Sequence, residues 1–165
     1  MKVTDRFVFF FSEKEIYSQW YPSPFEIKGV KFPTAEHYMM FAKACLFGDK
    51  ITAEQILQCT SPKEAKALGR KVSPFDAEIW DKKAMSYVRQ ASLAKFRQNP
   101  ELLKTILQHA GKEFVEASPY DKIWGVGLGQ NDPRILNPKN WLGKNQLGFV
   151  LSYVAKELAA ENQAY

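Results

Sequence analysis

The chain has 165 residues, 45% hydrophobic and 14% aromatic, which suits a single domain (1–165, core about 6–158) burying one substantial core. Its apolar runs fall far below the roughly 20 residues of a membrane span, and MKVTDRFVFFF has no small-residue cleavage site, so a soluble, cytoplasmic protein is expected. A net charge of +5 is mildly receptive to phosphate or nucleic acid, but no run of five like charges and no repeat marks a dedicated nucleic-acid tail.

Arg6–Phe11, RFVFFF, is a β-prone apolar run that predicts a buried strand, followed by an aromatic loop at Ser18-Gln19-Trp20-Tyr21-Pro22. Phe25, Ile27, Val30 and Phe32, interleaved with Glu26, Lys28 and Lys31 around Gly29, form the pattern of a small hairpin with one buried face. Pro33–Ala44, PTAEHYMMFAKA, follows as a helix capped by Thr34 and ending at Gly48. Thr52 to Gln55 and Ser61 to Glu64 read as two capping boxes, each starting a short helix, the second stopping at Gly69. Asp76–Asn99 is the longest periodic segment, with Trp80, Ala84, Tyr87, Val88 and Ala91 on one stripe and Lys95 on its continuation, as either a rim or a site residue.

Asn99-Pro100-Glu101 restarts a helix that buries Leu102, Leu103, Ile106, Leu107 and Ala110 and ends at Gly111. Glu113–Ala117 is strand-like. From Ser118 to Asn145 the chain is rich in Gly, Pro, Asn and Trp, a length of loop that in a compact domain marks function. Gln146–Glu161 closes as an amphipathic helix with Leu147, Val150, Leu151, Val154 and Leu158 inward and Asn145 as its cap, before a frayed tail.

Glu36 and Lys43 are seven residues apart, about 20° short of two turns, so both face one side of the first helix, roughly 10 Å apart along its axis. They are either a paired carboxylate and amine or the first-turn acid and solvated lysine of an ordinary amphipathic helix. Ile123 to Gly129, IWGVGLG, sets three glycines at alternate positions after a tryptophan: either a close backbone approach to a ligand, through Gly125 and Gly127, or a tight turn around a core ring. Glu116 and Asp121 before it either recognise a base with N–H donors and position water, or are solvated loop acids. Lys144 at a helix N-terminus is either a phosphate ligand or an exposed lysine, and Arg70 just past a helix end either clasps phosphate or complements that helix's carbonyls.

Cys45 and Cys59 have no CxxC spacing and are expected to be buried thiols. His37 and His109 belong to no HxxxH or HExxH pattern. No metal and no cofactor are expected.

Taken together, PTAEHYMMFAKA, LGRKV at Leu68–Val72, Trp80, AKF at Ala94–Phe96, VEASPYDKIWGVGLG at Val115–Gly129 and NWLGKNQLG at Asn140–Gly148 resemble the NADAR (YbiA-like) family of N-glycosidases, from about Phe10 to about Leu158. The resemblance implies a compact α+β domain, mostly helical, with a small N-terminal β-hairpin or sheet. It implies hydrolysis of the bond between ribose C1′ and the amino group of a guanine-like base. The substrate would be ADP-ribosylated guanine in DNA or RNA, or a ribosylaminopyrimidine phosphate of the riboflavin pathway. It maps the acid of the EHY motif to Glu36, the lysine of the same helix to Lys43, the acid before the tryptophan motif to Asp121 and that tryptophan to Trp124. On this reading Glu36 is the acid/base and Lys43 a Schiff-base amine. Trp124, with Trp20 or Trp80, stacks on the base, Glu116 or Asp121 bonds its donor edge, and Arg70 and Lys144 take phosphate, beside Gly125, Gly127 and Asn145. The chain departs from the family pattern at Ser18-Gln19-Trp20 and at Lys156. The rival readings are a non-catalytic ADP-ribose or nucleotide-binding module, against which the intact Glu36 and Lys43 pair counts, and a nucleic-acid-binding module, against which the lack of clustered Lys and Arg counts; neither a membrane nor an obligate protein partner is expected.

Overall fold

The computed structural model describes residues 1–163; Ala164 and Tyr165, part of the tail expected to fray, lie outside the described residues. In chain order the elements are β1 (Lys2–Val3), β2 (Phe7–Phe10), β3 (Phe25–Ile27), β4 (Val30–Phe32), α1 (Ala35–Leu46), α2 (Lys50–Gln58), α3 (Pro62–Gly69), α4 (Ala77–Gln98), α5 (Pro100–Gln108), β5 (Glu113–Glu116) and α6 (Gln146–Gln163). The fold is α+β and mainly helical, as expected. The chain forms two compact units, one of Met1–Ser18 with the residues from Glu101 onward, the other of Gln19–Pro100. No helix among the described residues is long and apolar enough to cross a membrane.

In the first unit the sheet order is β1-β2-β5, with β1 antiparallel and β5 parallel to β2. All four side chains of β2 are buried, so FVFF is a central strand covered on both faces, which is why it reads as an unbroken apolar run. Phe7 and Phe9 pack with Val115, Val126, Leu128 and Ile135, whereas Phe10 meets Tyr17, which sets its ring edge-on to Phe114. α6 packs against β5 through the inward face its periodicity predicts. Two short 3-10 turns, Pro133–Leu136 and Pro138–Asn140, lie in the stretch expected to be loop, each opening on proline after an Asp or Asn cap.

In the second unit β3 and β4 pair through a two-residue turn in which Lys28 and Gly29 both have positive φ, 52° and 80°, the geometry a twisted hairpin demands. Their buried rings, Phe25 and Phe32, pack with Tyr38, Ala42, Ala91 and Ala94, fastening the hairpin to α1 and α4. α4 is buried on one stripe at its start and all round from Ala91 to Phe96, where Lys95 lies fully inside with only 2% exposure.

Local expectations change at several points. On α5 only Ile106 is buried, while Leu102, Leu103, Leu107 and Ala110 are half-buried. α2 begins at Lys50, not after Thr52: Asp49 accepts the Thr52 N–H and hydroxyl at 3.0 and 2.7 Å, making Asp49 the cap and Thr52 its partner. Cys45 is exposed, because the apolar stripe of α1 turns away from it; Cys59 is buried as expected. Helix α6 runs past Glu161 to Gln163.

Candidate active site

α1 is set by its first turn. Thr34 caps it, its hydroxyl oxygen accepting the His37 N–H at 3.2 Å, and the same oxygen bonds His37 Nδ1 at 2.7 Å. His37 Nε2 faces the Cys59 carbonyl at 3.1 Å, which only accepts, so Nε2 carries the proton and Nδ1 takes the Thr34 hydroxyl proton. Burial lowers the His37 pKa, which favours this neutral tautomer. His37 is therefore the tie between α1 and the end of α2. Beside it Glu36 is buried, and its backbone N–H donates to the Gln19 carbonyl at 3.0 Å, which fixes the Gln19–Trp20 loop to the start of α1.

Two turns on, half-buried Lys43 places its ammonium 4.6 Å from the Phe75 ring centroid and 5.6 Å from that of Trp80. Trp80 stacks on Tyr87 at 6.0 Å, and Phe75 meets Phe47 edge-on at 5.2 Å, so both walls are braced from behind. Desolvation by these surroundings lowers the Lys43 pKa; Glu36 pulls it back up and Arg70 pushes it further down. The two charges act in opposite senses on one amine. Arg70 stands exposed at the end of α3, where Gly69 lets α1 and α3 close: a β-carbon there would run into the Met40 side chain. The structure thus gathers Glu36, Arg70 and Trp80 around Lys43. Trp20 stands instead beside Lys66, whose ammonium is 5.9 Å from its ring.

The other unit carries Glu116, Asp121, Trp124, Gly125, Gly127, Lys144 and Asn145. Ser118 Oγ accepts the Asp121 N–H at 3.0 Å, and Asp121 Oδ1 accepts the N–H groups of Ile123 and Trp124 at 2.9 and 2.8 Å. Asp121 thereby shapes the turn that presents Trp124, which is half-buried. At Gly125 an added β-carbon would lie 2.9 Å from both the Asp121 and Glu116 carbonyl oxygens, and at Gly143 only 2.3 Å from the Gly125 carbonyl. The close approach these glycines permit is of chain to chain, and Gly127 adds a positive φ of 72° in the same crossing.

Asn145 holds the position expected of a cap, its carbonyl accepting the Phe149 N–H at 3.0 Å, but its side chain does not cap α6. Its φ is 53°, and its buried side chain turns back to β5: Nδ2 donates to the Phe114 carbonyl and Oδ1 accepts the Glu116 N–H, both at 3.0 Å. Lys144 is exposed, its N–H donating to the Lys122 carbonyl at 2.8 Å. Among the described residues no three His, Cys, Asp or Glu side chains gather as a metal-binding group.

The NADAR domain model matches residues 8–159. The chain belongs to the NADAR family. It is 41% identical over 165 residues to an N-glycosidase of Acanthamoeba polyphaga mimivirus, covering 93% of this chain and 97% of that protein. N-glycosidase YbiA of Escherichia coli is 31% identical over 160 residues, covering 95% of this chain and 91% of that one. The NMR structure of Escherichia coli YbiA superposes with a TM-score of 0.80 at 29% identity, over 99% of this chain and 91% of that chain. One member of this NADAR chain's Lys43 surroundings escaped sequence reasoning: Phe75 sits in the aperiodic stretch before α4, where no spacing rule marks it.

Proposed function

We propose that the chain, acting as one domain, is an N-glycosidase that cleaves the bond between ribose C1′ and the amino group of a guanine-like base, with ADP-ribosylated guanine in nucleic acid as its substrate. The coarser part, a hydrolase of N-glycosyl bonds, follows from NADAR membership and from relatives named N-glycosidases. The finer part is carried by one observation: a half-buried lysine, walled by two aromatic rings, with its pKa lowered and with a buried glutamate on the same helix.

An N-glycoside of an amine opens to an imine when the ring oxygen leaves C1′. The neutral Lys43 amine adds to C1′, the C1′–N bond to the base breaks, and Glu36 as its acid delivers the proton that the departing amine takes. Water, deprotonated by the resulting Glu36 carboxylate, adds to the lysine imine and releases the sugar aldehyde, which recloses as lysine regains its proton. The lowered pKa supplies the free amine that the attack needs. The rings of Phe75 and Trp80 offer a face for the leaving base.

The test is release of ADP-ribose from a guanine-ADP-ribosylated oligonucleotide, with borohydride added to reduce any lysine imine to a stable amine. Wild type should release the sugar and, when reduced, carry its mass on Lys43; Lys43→Ala should do neither while folding normally. Normal release by Lys43→Ala would remove the Schiff-base step. Turnover of a ribosylaminopyrimidine phosphate in place of the oligonucleotide would move the substrate to a free metabolite, and product binding with no turnover of either would favour the nucleotide-binding module.

A further inference from the structure

α6 gives its inward face to β5 and turns Phe149 and Tyr153 outward, 53% and 64% exposed. Gln146, Phe149, Tyr153 and Lys156 follow one another at three, four and three residues, so they form a single stripe along the helix. At its far end the Lys156 ammonium lies 5.9 Å from the Tyr153 ring centroid. At its near end the Gln146 N–H donates to the Ile123 carbonyl at 3.1 Å, and the Lys144 N–H to the Lys122 carbonyl at 2.8 Å. The stripe therefore runs on to a loop edge where Lys122, Lys144 and Ile123 are all exposed.

Three cations and three apolar faces thus alternate along one surface of this unit. Two acids stand beside these cations: half-buried Glu157, four residues on from Tyr153 in the same row, and half-buried Asp121 before Lys122, whose Oδ1 is taken up by the Ile123 and Trp124 N–H groups. An interface with a folded protein concentrates its apolar groups and sheds lysine from its centre, which is the reverse of this interleaving. A polyanion with a flat ring at each unit matches both halves of the pattern: cations follow its phosphates and side-chain faces take its bases.

We propose that this strip binds single-stranded nucleic acid, Lys122, Lys144 and Lys156 tracking the backbone while Phe149 and Tyr153 stack on successive bases. The proposal rests on the reading of the substrate as modified nucleic acid and narrows it to single strands; a free ribosylaminopyrimidine phosphate would have no use for the strip. Phe149 and Tyr153 are one turn apart, about 6 Å along the axis, and serve neighbouring nucleotides.

The experiment is fluorescence anisotropy with a labelled, unmodified single-stranded 12-nucleotide oligonucleotide, for wild type, Lys156→Gln and the double variant Phe149→Ala/Tyr153→Ala. Wild type should bind with a slope of log affinity against log salt near about −2, as about three phosphate contacts require, and Lys156→Gln should flatten it by about 0.7. The double variant should bind about tenfold more weakly or worse. Both should release ADP-ribose from a modified mononucleotide at the wild-type rate, because the changed side chains are solvent-facing. Wild-type affinity in the double variant would overturn the proposal, as would a wild-type dimer in light scattering that Phe149→Ala/Tyr153→Ala disperses. Because the probe strand is unmodified, salt-sensitive binding without any sugar release would remove the proposed substrate and leave the strip standing, whereas release without strand affinity would remove the strip alone.

Discussion

Asn145 is where a binding role and an architectural one make opposite predictions. Its side chain satisfies two backbone groups of β5, the Phe114 carbonyl and the Glu116 N–H, and it is only 3% exposed. Asn145→Ala leaves both groups buried without that partner, at about 1–3 kcal/mol each. Its φ of 53° adds about 1 kcal/mol, since alanine tolerates the left-handed region less well than asparagine. The sum, about 3–7 kcal/mol, is a large part of the roughly 5–15 kcal/mol that holds a domain. In urea, with a slope of about 2 kcal/mol per molar, the unfolding midpoint should fall by about 1.5–3.5 M. Asn145→Gly loses the same two bonds but relieves the backbone, so it should recover about 1 kcal/mol of the deficit. An unchanged midpoint together with a raised KM would refute the clamp and return Asn145 to the substrate.

Two further outcomes concern titration. Borohydride trapping at Lys43 needs free amine, so its rate should rise with pH and level off below the ordinary lysine value of 10.5; Arg70→Gln, which removes a cation that pushes this pKa down, should move the midpoint upward, and Glu36→Gln downward. A midpoint that both variants leave in place would mean that neither charge acts on the amine. For Lys95, burial lowers the pKa from 10.5 to about 7, so between these values the folded state holds fewer protons than the unfolded one and stability rises with pH. The cost of the buried ammonium is complete below about pH 7 and gone above about 10.5. At about 1.4 kcal/mol per pH unit the ceiling is about 5 kcal/mol, and the Phe96 and Tyr21 rings, 5.2 and 5.9 Å from Nζ, return about 1–2 kcal/mol by holding the charge. Lys95→Met should flatten that pH dependence in urea titrations at pH 6 and 9 and unfold later at pH 6; parallel curves for the two proteins would contradict the assignment.

Elements whose evidence is local were legible in the chain. The alternation in Phe25–Phe32 is a property of eight adjacent residues, and the Ser61 box with Pro62 fixes the start of α3 unaided. Where two local rules compete, sequence cannot rank them: Asp49 and Thr52 are both good caps, and the choice fell to Asp49 because its carboxylate accepts two bonds from Thr52 and a third, at 3.0 Å, from the Ser73 N–H. Asn145 was misread for a related reason. An asparagine before a helix is locally a cap, and only β5, some thirty residues upstream, reveals what its amide serves. The parallel pairing of β2 with β5 has the same character, since two short apolar runs about a hundred residues apart carry no register in their composition.

Around Lys43 the division is finer. Helical spacing alone puts Glu36 and Lys43 on one face, and a helix end and a periodic stripe single out Arg70 and Trp80 without placing them beside Lys43, but Phe75 has neither periodicity nor motif behind it. The basic strip teaches the converse about charge. Lys122, Lys144 and Lys156 are separated by 22 and 12 residues, so the absence of a charge run excludes a disordered tail and says nothing of a surface assembled from a loop edge and one helix face. Composition counts charges along the chain, whereas a nucleic acid meets them in space; a net charge of +5 spread evenly and the same charge gathered on one face differ only in the fold.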